Sequence, residues 1–200
     1  MRIPSDWNSQ LRELAWYDDM VWFRRTVDVE PRPGRRYFLY FEAVNYHAHV
    51  YLNGSKLGEH EGGFTPFAFE VTAQLKPGSN SLVVAADARH DAQTVPNAIY
   101  DWQNYGGITR PVYLIDVPET YIHHSRVSLK TDGTVEAIVQ LDGSRAASAD
   151  VELRVPALGF TAPARTDASG TATVRGKPRR LVRWSSQDPR LYDVELNAAG

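Results

Sequence analysis

The segment Tyr100-Asp101-Trp102-Gln103-Asn104-Tyr105-Gly106-Gly107-Ile108-Thr109-Arg110 gathers one carboxylate, two amides and several rings around a paired-glycine turn. Flat apolar faces beside hydroxyl-binding polar groups are what a sugar-recognising rim requires. An ionised Asp101 can accept hydrogen bonds from two vicinal hydroxyls at once; it can equally cap its own turn through backbone amides. Asn104 and Tyr105 can touch a ligand or support the loop. Trp102 can stack on a sugar face or pack beneath the turn. Arg110 reads as the anchor of a buried carboxylate or of a domain interface.

Two further groupings could carry chemistry. Glu59-His60-Glu61-Gly62-Gly63-Phe64-Thr65-Pro66-Phe67 sets two acids around a histidine, a pattern able to transfer protons or hold a metal. Its paired glycines and Pro66 favour a shaped loop instead. His47 and His49 sit two apart on a predicted strand and so share a face. With His60 beyond the hairpin they could offer three nitrogens to zinc. Nothing at the needed spacing supplies a carboxylate to orient such ligands from behind, and histidines on strand surfaces are common, so neither a metal nor another cofactor is expected. His123-His124 points to opposite faces of an extended chain, and Lys177, Arg179, Arg180 and Arg183 read as a solvated edge.

The elements that must position these groups are strands. Val21–Val29, Arg36–Glu42, His47–Leu52, Phe67–Val71 and Ser81–Asp87 are short apolar or alternating runs separated by Gly, Pro and Asn clusters. Asn53-Gly54 is the strongest hairpin signal among them. Only Ser9–Ala15 could form a brief helix. After Val117-Pro118-Glu119-Thr120 the composition changes from aromatic-rich to Ala, Thr, Val and Arg. Val127–Lys130, Thr134–Leu141, Asp150–Val155 and Gly170–Arg175 then alternate as in a small immunoglobulin-like sandwich. The expected architecture is all-β: an antiparallel sandwich over residues 1–118, then an immunoglobulin-like sandwich over 119–200.

Composition narrows the function classes. A net charge of −2 and a pI near 6.3 leave no basic footprint for nucleic acid. No apolar run reaches membrane-spanning length, and Met1–Trp7 lacks the apolar core of a signal peptide. Cysteine is absent, which excludes disulfides and thiolate metal sites but suits either redox compartment, so localisation is not readable.

Five motifs, in order, carry a family resemblance: Pro4-Ser5-Asp6-Trp7-Asn8; Trp22-Phe23-Arg24-Arg25; Val50-Tyr51-Leu52-Asn53-Gly54 with Gly58 to Phe67; Asp101-Trp102 through Arg110; and Trp184-Ser185-Ser186-Gln187-Asp188-Pro189-Arg190-Leu191-Tyr192. Over Pro4–Tyr192 the chain resembles glycoside hydrolase family 2, the β-glucuronidases and β-galactosidases. The resemblance implies a galactose-binding-like jelly roll, an immunoglobulin-like spacer and, following them, a catalytic (β/α)8 barrel. It also implies that Asp101 leans into the barrel's pocket and binds sugar hydroxyls, with Trp102, Asn104 and Tyr105 as further candidate substrate contacts. Retaining glycosidases need two carboxyl groups roughly 5–5.5 Å apart. In this family both come from the barrel, and no segment here resembles their motifs, so no catalytic residue is assigned to this chain.

The implied role is the non-catalytic front of an enzyme that hydrolyses terminal β-linked sugars, with a tilt toward β-glucuronides. A free-standing carbohydrate-binding module and an assembly module without sugar contact are the alternatives. Relative to the family pattern, the stretch that supplies the first jelly-roll strand is lacking. An open sheet edge and self-association are the expected consequences.

Overall fold

In the computed structural model, which describes residues 1–97, 99 and 102–198, the chain forms two compact units, Met1–Asp116 and Val117 onward. The first unit contains β1 (Ser5–Asp6), β2 (Met20–Val29), β3 (Arg35–Phe41), β4 (His47–Leu52), β5 (Ser55–Glu61), β6 (Phe67–Glu70), β7 (Gly78–Asp87), β8 (Gly107–Ile108) and most of β9 (Val112–Pro118). These strands build a four-stranded sheet, β2-β7-β4-β5, a three-stranded sheet, β6-β3-β9, and the small pair β1-β8. The helix expected over Ser9–Ala15 is a single 3-10 turn, Arg12–Leu14.

Alternation explains how the two larger sheets share one core. Every second residue of β3 (Tyr37, Leu39, Phe41) and β4 (Ala48, Val50, Leu52) is buried, and both sets join Leu82, Val84 and Ala86 of β7 in one cluster. Trp7 is fully buried in this cluster and donates its indole N–H to the Tyr17 carbonyl at 2.9 Å. The Asn53-Gly54 turn forms as its sequence predicts, with φ of 52° and 85°. The architecture is a jelly-roll, galactose-binding-like sandwich.

One side of this sandwich is open. The inward side chains of β2 (Val21, Phe23) and β9 (Val112, Leu114) pack against the core yet are only half-buried. A cleft of about 400 Å³ lies between them, with Met1, Ile3, Trp22 and Tyr113 on its rim. Both β2 and β9 end their sheets, so each has backbone groups free of a neighbouring strand on that side.

The second unit contains β10 (Tyr121–Leu129), β11 (Val135–Asp142), β12 (Asp150–Val155), β13 (Phe160–Arg165), β14 (Thr171–Gly176) and β15 (Glu195–Ala198). Two three-stranded sheets, β10-β11-β14 and β13-β12-β15, enclose Val139, Leu141, Val151, Leu153, Ala172 and Val174 in the immunoglobulin-like manner. Within it, the Glu119 carboxylate accepts from the Ser144 backbone and hydroxyl, both at 2.9 Å.

In the first unit, Asp116 near the end of β9 receives Arg35 and Arg32 together. The Arg35 hydrogen bond, helped by Arg32, holds the Asp116 carboxyl below its ordinary value of 3.8 against the upward push of burial. A depressed folded-state pKa means that the unfolded chain binds the proton more readily. The stabilisation is therefore complete above the ordinary carboxyl range and is lost as pH falls through the folded value. Urea melts between about pH 3 and 7 should show Asp116→Asn with a lower midpoint near neutrality and a shallower acid decline than wild type. Parallel curves would contradict the coupling.

The open side also predicts behaviour in solution. Sedimentation of the isolated chain at rising concentration should show reversible self-association, reduced by Trp22→Lys. A concentration-independent monomer would contradict it.

Candidate functional site

The two paired-glycine turns singled out in the sequence converge on one buried side chain, Asn45. Asn45 is 3% exposed and exchanges backbone hydrogen bonds with Gly107 at 2.8 and 3.1 Å. Its side-chain N–H donates to the Tyr105 carbonyl at 2.6 Å. On the other side, a Cβ added to Gly63 would stand 2.1 Å from Asn45 Oδ1. Gly106 is equally constrained: its Cβ would lie 2.1 Å from Trp7 Cζ2 and 2.5 Å from Ala88 Cβ. Gly107, at φ 148°, runs against Asp6 of β1, where a side chain would meet the Ser5 carbonyl at 2.7 Å. The glycines are there because backbone passes where no Cβ fits.

Asn8 completes the frame. It is buried, accepts the Gly106 N–H at 3.0 Å, and donates to the Leu14 and Tyr17 carbonyls at 2.9 Å each. Trp7 donates its backbone N–H to the Gly106 carbonyl at 3.0 Å. The turn at 105–107 is therefore locked to β1 and to the residues before β4.

The loop leading into this turn is braced from within. Asn104 places its amide against His90 Nε2 and lies 3.5 Å from Asn45 Oδ1. His90 Nδ1 is 3.0 Å from the Pro96 carbonyl and 3.2 Å from Thr94 Oγ1, and its ring packs on Tyr46 with centroids 4.7 Å apart. A carbonyl beside Nδ1 assigns the proton to that nitrogen, leaving Nε2 to accept from Asn104. Gln103 donates to the Ala15 carbonyl at 2.7 Å, and the Tyr46 hydroxyl accepts the Val95 N–H at 3.2 Å.

Among the expected sugar contacts, Trp102 and Tyr105 are 62% and 49% exposed, while Asn104 is engaged inside the loop. Asp101 lies outside the described residues. Arg110 was expected to anchor a buried carboxylate or an interface; it is exposed and pairs with no carboxylate among the described residues. Asn8 entered the sequence reading only as the last residue of the Pro4–Asn8 motif, and Asn45 carried no signal beyond being an asparagine, although the glycine pairs near them did.

The acid-histidine cluster divides in an unexpected way. Leu52 opposes Ser55 and Tyr51 opposes Lys56, but a bulge then sets Val50 opposite Gly58 and His49 opposite Glu59. In an unbulged hairpin His47 would oppose His60; the extra residue moves His60 to the other face, with Ala48, and brings Glu59 to the histidines. His60 instead stacks on Phe67 with centroids 4.2 Å apart and contacts Thr65 Oγ1 at 3.1 Å. Burial lowers its pKa, favouring the neutral ring. The His47-His49-His60 trio that spacing allowed does not form, and His47, His49 and Glu59 come together in its place.

Comparison with known proteins adds a family. Residues 4–111 match the family model described as the glycosyl hydrolase 2 galactose-binding domain-like domain. A β-galactosidase of Thermoanaerobacter pseudethanolicus is 36% identical over 110 residues, covering 53% of this chain and 15% of that protein. A β-glucuronidase of Bacteroides fragilis is 34% identical over 125 residues, covering 60% of this chain and 18% of that protein. The structure of Bifidobacterium dentium β-glucuronidase complexed with coumarin-3-O-glucuronide superposes with a TM-score of 0.83 at 25% identity, over 99% of this chain and 39% of that one. The chain therefore spans well under half the length of each of these proteins.

The frame around the turn yields its own expectation. Gly106→Ala forces Trp7 or Ala88 to move and should cost about 1–3 kcal/mol, read as a lower urea midpoint; a wild-type midpoint would refute the tight packing. Asn45→Ala should cost a similar amount, about 1–3 kcal/mol, by leaving the Tyr105 carbonyl unpaired.

Proposed function

Since the chain belongs to the glycosyl hydrolase 2 galactose-binding domain-like family, we propose that it shapes the substrate pocket of a retaining β-glycosidase acting on terminal β-glucuronides or β-galactosides. The cleavage itself would be the work of a carboxylate pair in a barrel outside these residues, one group as acid/base and the other as nucleophile. This chain's part is to hold a sugar-contacting loop in place.

The observation that carries this reading is the contrast within residues 102–107. Gly106 and Gly107 are buried and bonded to β1, Asn8 and Asn45, while the rings of Trp102 and Tyr105, a few residues earlier, face solvent. A rigid base with exposed rings suits a loop that positions a substrate, because pre-organised contacts lose little entropy on binding. Asp101 would accept hydrogen bonds from vicinal sugar hydroxyls. Trp102 and Tyr105 would cover apolar sugar faces, and Asn104, tied to His90, would support the loop from behind. The glucuronide tilt draws on the similarity to β-glucuronidases named above.

The exposed rings also fit a module that binds glycans by itself, and the same experiment separates the two readings. In the complete enzyme, Asp101→Ala should remove charge-assisted hydrogen bonds worth about 1.5–3 kcal/mol, lowering kcat/KM roughly 10- to 150-fold. Asp101→Asn should fall between. Unchanged kcat/KM in both variants would refute the pocket role. Saturable glycan binding by the isolated chain, lost on Trp102→Ala, would establish the module instead.

A further inference from the structure

On the outer face of the four-stranded sheet, well away in sequence from the sugar loop, we infer a divalent transition-metal site formed by His47 and His49 of β4 and Glu59 of β5. One donor atom from each of the three residues lies within 4.8 Å of the other two. The two imidazole rings have centroids 4.5 Å apart, and His49 Nδ1 is already 3.3 Å from Glu59 Oε2. Ligand atoms around a tetrahedral zinc with bonds of about 2.0–2.1 Å stand about 3.3–3.5 Å apart. The His49–Glu59 edge meets that spacing as it stands, and side-chain torsions alone can close the rest.

The backbone makes the arrangement durable. His47 and His49 alternate outward on a strand whose intervening residues, Ala48 and Val50, are fully buried, so the histidine side chains cannot leave the outer face. The bulge at Val50/Tyr51 fixes Glu59 directly across from His49. Both histidines are only partly exposed, which limits competition from water, while Glu59 faces solvent and gives an entry path. Two imidazoles and one carboxylate favour zinc, nickel or copper over magnesium or calcium, which prefer all-oxygen shells. Three protein ligands leave a fourth position for water or Glu61, which opposes His47 in the same register.

A built-in competitor for the carboxylate stands beside the site. Lys56 Nζ lies 2.9 Å from the same Glu59 Oε2 that faces His49. A cation entering the trio must displace this ammonium, so removing it should strengthen binding. Once bound, the ion links β4 to the edge strand β5, and a ligand that prefers the folded state raises the melting temperature.

The test is calorimetric titration of the full chain with zinc chloride alone, with magnesium chloride in parallel. The expected result is one zinc per chain and no magnesium binding. Glu59→Gln, an exposed substitution that leaves the core intact, should weaken zinc at least about tenfold. His49→Ala should abolish the site, Lys56→Ala should tighten it several-fold, and a His123→Ala/His124→Ala double variant should bind as wild type. The zinc-induced rise in melting temperature should vanish with His47→Ala. No saturable zinc binding by about 1 mM, or wild-type affinity in Glu59→Gln and His49→Ala alike, would overturn the assignment.

Discussion

The side chain and backbone of Asn45 join three stretches of the first unit. Its backbone pairs with Gly107, its amide holds the Tyr105 carbonyl, and its oxygen fills the space that Gly63 leaves open. A buried amide is costly unless its polar atoms find partners, and here they find them in the domain-end turn. The hairpin loop, the strand entering β4 and the turn before β9 are consequently parts of one assembly. The exposed rings of Trp102 and Tyr105 derive their placement from it.

Much of the framework could be read in the chain. Asn53-Gly54 announced its hairpin, and β4 occupies the span its alternation marks. β13 escaped notice because Pro163 interrupts it; as an edge strand it has a side where a missing N–H is tolerated. Asn45 was unreadable because the carbonyl its amide holds lies sixty residues away along the chain. Its imprint survived only in the glycine it crowds.

The histidine face shows how a single inserted residue defeats a reading by period. Spacing alone places His47, His49 and the residues beyond the turn in an unbulged ladder, which pairs His47 with His60. The bulge between Val50 and Tyr51 shifts the ladder by one and exchanges each outward residue of β5 from Gly58 onward for its neighbour. Glu59 and Glu61 thereby join the histidines while His60 retires against Phe67. No propensity scale carries that information, because bulges depend on how the edge strand must twist against its partner.

The pairing of β1 with β8 joins Ser5 to Ile108, across nearly the whole first unit. Closing so long a loop carries an entropic penalty before the contact returns any stability. A chain emerging from the ribosome in N-to-C order presents Trp7 long before the glycines that cover it have been made. Full burial of that indole must await the arrival of Gly106 and Gly107, so Trp7 stays partly uncovered until the chain has been made through the domain-end turn.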